Sequence, residues 1–307
     1  MKKMILVALA FVFALGADAK PKPEKEINLR VGTYNIWSHA ARRGVIKKGK
    51  APVTRNWDNS KQAVAELIVD LGCDIIALQE VTSVCRDDLA TLIKKAGGRK
   101  YQLWWVDTYP HTDKKNIGSA VLYNKKKLSL SQQNIYYFSP TPEEVSKGWD
   151  EKRFYRASLA TVVTHKKSGK KFFFMANHGP LAKTANAQSG KLLVEWDTKY
   201  NTNGLPAIVA GDMNARPNSA CYKYMCQHYE DCFLVAEKRV GTIGTFNGAK
   251  EIDEDKNRRI DHIYIHSSDK GEFKVLYYEV NRDKLDCGGK MHYPSDHNPV
   301  FVDLTIR

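Results

Sequence analysis

Eight polar residues stand at the ends of apolar runs, and between them they hold the chemistry this chain could perform. Asn35 ends VGTYN, Glu80 follows DIIALQ, His178 follows FFFMAN, and Asp212 and Asn214 follow AIVAG. Asp261 sits in RRIDHIYI, and Asp296 and His297 come just before NPVFVDL. Carboxylate oxygens are hard donors that suit magnesium, with manganese or calcium as alternatives, and such cations neutralise phosphate oxygens. A histidine whose ring is oriented by an aspartate can serve as a general acid or base. Side-chain amides can hold a phosphate oxygen or a water without adding negative charge. The inventory fits metal-assisted hydrolysis of a phosphoester.

Taken singly, each residue has a plainer explanation. Asn35 could cap a strand end, Glu80 could be a surface carboxylate, and His178 could be a hydrogen-bonded core histidine. The stretch GDMN could be an ordinary turn, since Gly, Asp and Asn all favour turns. Asp261 could pair with Arg258 or Arg259, and Asp296-His297 could simply start a strand. Recurrence decides the matter: all six pieces lie at strand ends of one chain, and strand ends in α/β proteins gather on one rim where ligands bind.

The elements that must carry these residues are legible from their patterns. Strands are expected over 29–36, 74–78, 119–123, 157–164, 171–176, 206–210, 259–265, 273–280 and 300–305. Val64, Leu67, Ile68 and Leu71 recur at helical spacing, a second helix is expected over 185–200, and a third after Ser219. Two stretches are irregular, the basic 39–56 and the Pro-containing 139–149, and such loops are candidates for substrate contact. Unbroken alternation of strand and helix predicts one domain over 27–307.

Lys2 and Lys3, an apolar run over 4–15 and the small residues Ala17 and Ala19 predict an export signal over 1–19. Cleavage near Ala19 would leave 20–26 as a flexible lead-in and place the protein in the periplasm or medium. No later run is apolar enough to span a bilayer, so stable membrane insertion is not expected. The net charge of +14 attracts polyanions such as nucleic acid, phosphorylated sugars or anionic lipid without ranking them, or it serves solubility alone. Six cysteines permit disulfides in an exported protein, and none has the paired spacing of a zinc site.

In order, TYN, QEV, the HGP turn, GDMNA, RIDHI and SDHNPV resemble the endonuclease/exonuclease/phosphatase superfamily, and the HGP turn is similar to its pancreatic deoxyribonuclease-like members. The resemblance implies an α/β four-layer sandwich, two mixed β-sheets packed face to face with helices on the outside. It also implies roles. Asn35, Glu80 and Asp296 would lie at the metal, with Glu80 the main ligand. His297, oriented by Asp261, would be the general acid or base. Asp212 and Asn214 would position the attacking water and the phosphate, and His178 would bind phosphate or share the proton transfer. Many members have Leu where this chain has Gly179, and the segment 139–156 resembles secreted bacterial members; within it Arg153 or Arg156 could reach a phosphate.

Three functions compete at this level. The leading one is a secreted phosphodiesterase or nuclease acting on DNA or RNA, supported by the charge and the basic stretch 39–56. The second is a phosphatase or phosphodiesterase for a sugar phosphate or lipid head group, with Trp104, Trp105, Tyr109 and Trp149 shaping a smaller pocket. The third is a polyanion-binding protein that has lost catalysis. No obligate protein partner is expected.

Overall fold

The runs IIALQEVT, KFFFMANH and AIVAGD are almost wholly buried strands in the computed structural model, as continuous apolar runs demand when both faces of a sheet are covered. The structure describes residues 26–37, 57–109, 117–241, 243–248 and 258–307. The expected export signal and the basic stretch 39–56 lie outside them.

In chain order the elements are β1 (Ile27–Asn35), α1 (Trp57–Asp70), β2 (Ile75–Thr82), α2 (Ser83–Lys95), β3 (Tyr101–Asp107), β4 (Ile117–Asn124) and β5 (Leu128–Tyr137). Then follow β6 (Ala157–His165), β7 (Lys171–His178), α3 (Lys183–Tyr200), β8 (Ala207–Asp212), α4 (Ala220–His228), β9 (Glu230–Asp231), α5 (Cys232–Val235) and β10 (Lys238–Val240). The chain ends with β11 (Asp261–His266), β12 (Phe273–Val280), the small hairpin β13 (Leu285–Asp286) and β14 (Met291–His292), and β15 (Val300–Ile306).

Two mixed sheets result. One has seven strands in the order β10-β12-β15-β1-β2-β4-β3, and the other has six in the order β5-β6-β7-β8-β11-β9. Alternation along each strand divides its side chains between layers. Ile75 and Ala77 of β2 meet Phe172, Phe174, Ile208 and Ala210 between the sheets. Ile76 and Leu78 face outward onto Val64, Leu67 and Ile68 of α1 and Leu89 and Ile93 of α2. On the other side, Phe173, Met175 and Val209 pack beneath Leu193 and Trp196 of α3 and Met225 of α4. Helices, sheet, sheet and helices form the four-layer sandwich that the sequence resemblance implies.

Most expected elements appear with their ends moved by a few residues. Helix α2 and strands β3 and β5 have no sequence expectation behind them. β5 alternates buried and exposed positions too irregularly to read, because a register slip between Ser131 and Asn134 breaks its period. Ser219 caps α4 by accepting from Tyr222 N. The six cysteines form no disulfide with one another. No described helix is long and apolar enough to cross a membrane.

Topology explains the rim. β1 and β2 run parallel, as do β7 and β8, so Asn35, Glu80, His178 and Asp212 lie at or near ends pointing the same way. β11 is antiparallel to β8 with Asp261 opposite Asp212, and β15 is antiparallel to β1, so their N-terminal ends come to the same edge.

Candidate active site

Asp212, the last residue of β8, is the hub of the site. It is 2 % exposed, and its Oδ1 accepts from Asn214 N at 2.9 Å. Its Oδ2 accepts from Asn35 Nδ2 at 3.0 Å and lies 3.6 Å from His178 Nε2 and 3.8 Å from His297 Nε2. Behind His297, Asp261 is 1 % exposed, with oxygens 2.9 and 3.1 Å from His297 Nδ1. The result is a buried chain, Asp261 to His297 to Asp212.

This chain of charges sets the proton affinities. Burial acts against a charge on His297, but Asp261 first and Asp212 next outweigh it, and the imidazole pKa is raised to about 10. Burial and the nearby Asp261 charge push the Asp212 carboxyl up to about 6. His178 goes the other way: burial, then the Arg156 charge, holds its imidazole well below the usual value. Arg156 Nη1 is in hydrogen-bond contact with His178 Nε2. A guanidinium can only donate, so Nε2 is the acceptor and this histidine is neutral with its proton on Nδ1.

Glu80 reaches the cleft by a break in the ladder. The register of β2 against β4 slips between Leu78 and Val81, and Glu80 takes a left-handed φ of 60°. A bulge of this kind re-aims a side chain, and a non-glycine residue is held in that conformation only where its surroundings impose it. Glu80 and Asp296 are both half-buried and line one cleft of about 350 Å³ with Arg156, His178, Asp212, Asn214 and His297. Arg216, Arg258, Phe246, Leu181 and Ile260 also line it. Asn35 and Asp261 stand behind this lining. Asn35 Oδ1 accepts from Trp37 N at 3.0 Å while its amide nitrogen holds Asp212, so its contact with the site runs through that carboxylate.

All eight residues singled out by sequence therefore meet at one rim. Asp261 pairs with His297 and not with the neighbouring arginines; Arg259 turns away to Asp231 at 2.7 Å. Of the segment 139–156, Arg156 reaches the cleft, whereas Arg153 stacks on Phe154. Trp104, Trp105, Tyr109 and Trp149 do not line the cleft. Trp104 packs on the core between the sheets, Trp105 donates to Val81 O at 2.7 Å, Tyr109 packs edge-on against Tyr155, and Trp149 is exposed.

Sequence reasoning missed the supports. Thr245 Oγ1 accepts from Ile260 N and Asp261 N, each at 3.0 Å, and fixes the start of β11. Asn247 N donates to Asp296 O at 2.8 Å, and the Phe246 ring packs edge-on to His297. Ser295 Oγ donates to Asn35 O at 2.6 Å and accepts from His297 N at 3.2 Å, tying the last loop to β1. Glu151 caps the entry to α3 by accepting from Leu181 N and Ala182 N, which also anchors the irregular segment. The GTFNG run could have signalled the first two; Glu151 carries no such signal.

Gly179 is a requirement of packing. A Cβ there would sit 2.5 Å from Met213 O, because the turn after His178 presses on the loop after Asp212. A leucine would not fit.

Ligand atoms of Asp212, Asp261 and His297 lie within 4.8 Å of one another, close enough to grip a cation. The sequence matches the Endonuclease/Exonuclease/phosphatase family over residues 32–297. The chain belongs to that family. Members of this family are phosphoester hydrolases. An endonuclease/exonuclease/phosphatase family protein from Bacteroides thetaiotaomicron is similar in structure, at 25% identity and a TM-score of 0.78, over 92% of this chain and 96% of that one. A mannosyl-6-phosphatase from Bacteroides thetaiotaomicron VPI-5482 is similar at 26% identity and a TM-score of 0.74, over 90% of this chain and 99% of that one. The Ccr4 3'-5'-exoribonuclease subunit of the Candida albicans CCR4-Not complex is 26% identical over 234 residues, 66% of this chain. An uncharacterized protein of Acanthamoeba polyphaga mimivirus is 26% identical over 161 residues. The chain spans 59% of the length of the viral protein and 29% of that of the fungal one.

Proposed function

We propose that this family member is an exported, metal-dependent phosphatase acting on phosphomonoesters of small hydrophilic alcohols, sugar phosphates foremost. The observation that carries the reading is the cleft of about 350 Å³ that Arg156, Arg216 and Arg258 line among the described residues. A phosphomonoester carries close to two negative charges at neutral pH, and guanidinium forks match its oxygens in pairs. Similarity to the mannosyl-6-phosphatase over nearly the whole of both chains supports it. This reverses the order of the two enzymatic readings drawn from sequence, although the aromatic residues expected to shape the smaller pocket are replaced by arginines and Phe246.

Glu80 and Asp296 would hold magnesium, with manganese or calcium as substitutes, and Asn35 would support the site through Asp212. The donor set fits: two half-buried carboxylates on one cleft, hard oxygens, room for water, and a strained Glu80 backbone aimed at that spot. Such a cation, when bound, neutralises phosphoryl oxygens and eases departure of the alkoxide. Asp261, His297 and Asp212 are assigned to proton transfer, because each ring nitrogen of His297 already faces a carboxylate.

An in-line displacement puts the attacking water and the leaving oxygen on opposite sides of phosphorus. Asp212 and His297 are 3.8 Å apart and so serve one side. Asp212, with its raised pKa, takes the proton of the water; the His297 imidazolium, held by Asp261, steadies the charge that develops there. Neutral His178, Asn214 and the three arginines hold the phosphoryl group.

The test is release of inorganic phosphate from a panel of sugar phosphates with magnesium, beside plasmid DNA and RNA. Turnover of the monoesters with inert nucleic acids is expected. Cleavage of nucleic acid with inert monoesters would refute the reading in favour of a nuclease, which the +14 charge and the Ccr4 similarity favour. Export is tested separately by sequencing the N-terminus of the protein recovered from outside the cytoplasm; a start near Lys20 is expected.

A further inference from the structure

Lysine collects at the end of the sandwich opposite the catalytic rim. Lys94 and Lys95 close α2, and Arg99 and Lys100 lie in the turn before β3. The turn from β4 to β5 is Lys125-Lys126-Lys127, and the one from β6 to β7 holds Lys166, Lys167 and Lys170 ahead of Lys171. Registers put these turns at one pole: Tyr101 pairs with Asn124, Leu128 with His165, and Thr164 with Lys171. The turns also touch. Lys125 N donates to Lys100 O at 3.0 Å, Lys166 N to Lys127 O at 2.8 Å, and Lys166 Nζ to Lys125 O at 2.6 Å.

Little acid offsets this strip. Asp74 pairs with Lys127 at 2.8 Å, but residues 94–106, 117–142 and 157–194 contain no Asp or Glu. The positive field is felt nearby: burial, and then the Lys127 charge, lowers the pKa of His165. Beside the strip an apolar groove of about 240 Å³ opens between α2 and the edge strand β3. Leu89, Ile93, Leu103 and Leu122 line it, with the exposed Lys94 and Lys125 at its mouth.

We propose that this pole seats the protein on an anionic phospholipid bilayer, its lysines meeting headgroup phosphates and one acyl chain entering the groove between α2 and β3. Charge complementarity and the groove point to the same occupant. Lysine is a compact charge on a flexible stem, suited to a diffuse anionic surface, whereas bidentate phosphate recognition favours arginine. The turns 94–100, 124–127 and 165–171 carry no Phe, Trp or Tyr on which a base could stack, and a nucleic acid has no use for an apolar slot. β7 runs from Lys171 to His178, so the site lies seven steps from the nearest of these lysines, about 23 Å at strand rise. The cleft would then face the aqueous phase, where a soluble phosphate ester is found.

Co-sedimentation of the full chain with vesicles tests this, using phosphatidylcholine alone and phosphatidylcholine containing one third phosphatidylglycerol. Wild type is expected to pellet with the anionic vesicles only, and to be released by salt as the Debye length falls to about 3 Å at 1 M. A combined Lys125→Glu, Lys126→Glu, Lys166→Glu and Lys167→Glu variant is expected to bind at least about 100-fold more weakly. Ala90→Glu, at an exposed position lining the groove, is expected to weaken binding about tenfold. Thermal midpoints equal to wild type confirm that both variants are folded. Binding to a duplex DNA fragment without binding to vesicles overturns the proposal in favour of nucleic acid. Vesicle binding unmoved by the lysine reversals overturns it outright, and binding unmoved by Ala90→Glu overturns the acyl-chain groove.

Discussion

Replacing Asp261 with Asn tests the buried proton chain where it is most exposed to refutation. Both Asp261 oxygens lie within 3.1 Å of His297 Nδ1, and neither residue is more than 6 % exposed. The lift of the imidazole from 6.5 to about 10 corresponds to about 5 kcal/mol of preference for the charged ring. Asp212 supplies part of the favourable pull and burial subtracts from it, so the figure is the net of these effects and not Asp261's share alone. An amide keeps the shape but removes the charge, and it can turn its NH2 toward Nδ1 and select the wrong tautomer. We expect kcat to fall by about 10²–10³, with KM within about threefold of wild type. The assay is steady-state phosphate release from the best monoester, with magnesium affinity measured by titration calorimetry. A kcat within about fivefold of wild type in a folded variant would refute the reasoning. So would a loss of metal affinity with kcat restored by excess metal, which would move Asp261, with Asp212 and His297, into the ligand set.

Three further outcomes are expected. Chelation should abolish phosphate release, and Glu80→Gln should weaken magnesium binding by about 100-fold or more; unchanged affinity in calorimetry would remove Glu80 from the metal site. Gly179→Ala should cost about 2–3 kcal/mol in urea unfolding, because its Cβ would meet Met213 O at 2.5 Å and that carbonyl is already held by Asn186 Nδ2; an unshifted midpoint would show that the turn can yield. His262 is fully buried between Ala215 O and Arg259, and burial, then the Arg259 charge, lowers its pKa to about 4. Below about 6.5 the unfolded chain takes up a proton that the folded one refuses, so this group's contribution is complete above that pH and is lost as pH falls toward 4. About 3 kcal/mol should disappear across that window, and His262→Gln should flatten the slope in urea titrations at stepped pH.

The chemistry was legible in the sequence because it depends on residue type at the ends of readable strands. Glu80, Asp212, His178 and Asp296 are named from their positions after or before apolar runs; the same runs place the buried strands, while the two-sheet arrangement comes from the family resemblance alone. What stayed hidden acts through backbone contacts or distant pairing. Thr245 works by accepting the amide protons of Ile260 and Asp261 where β11 begins, and Ser295 by bridging to Asn35, 260 residues away in sequence. No local pattern marks such pairs. Strand β5 is obscured by its register slip, and α2 has a narrow buried stripe of Cys85, Leu89 and Ile93 at helical spacing that carries no expectation in the sequence reading. The resemblance implies that Asn35 lies at the metal; in the structure its amide nitrogen holds Asp212 and its Oδ1 accepts from Trp37 N.

Charge shows most clearly what sequence can weigh but not place. A balance of +14 is equally consistent with polyanion binding and with solubility. Folding separates the two kinds of cation. Among the described residues, Arg156, Arg216 and Arg258 line the cleft without a lysine, where planar forks can grip a phosphoryl group in defined geometry. Ten lysines and Arg99 gather at the opposite pole, on turns that share hydrogen bonds but hold no defined pocket for an anion. Chain-wide charge therefore overstates what favours a nucleic-acid substrate, since much of it lies about a strand length from the site. Among the described residues the cleft offers three guanidiniums, and the proposed monoester reading rests on these and not on the chain-wide charge.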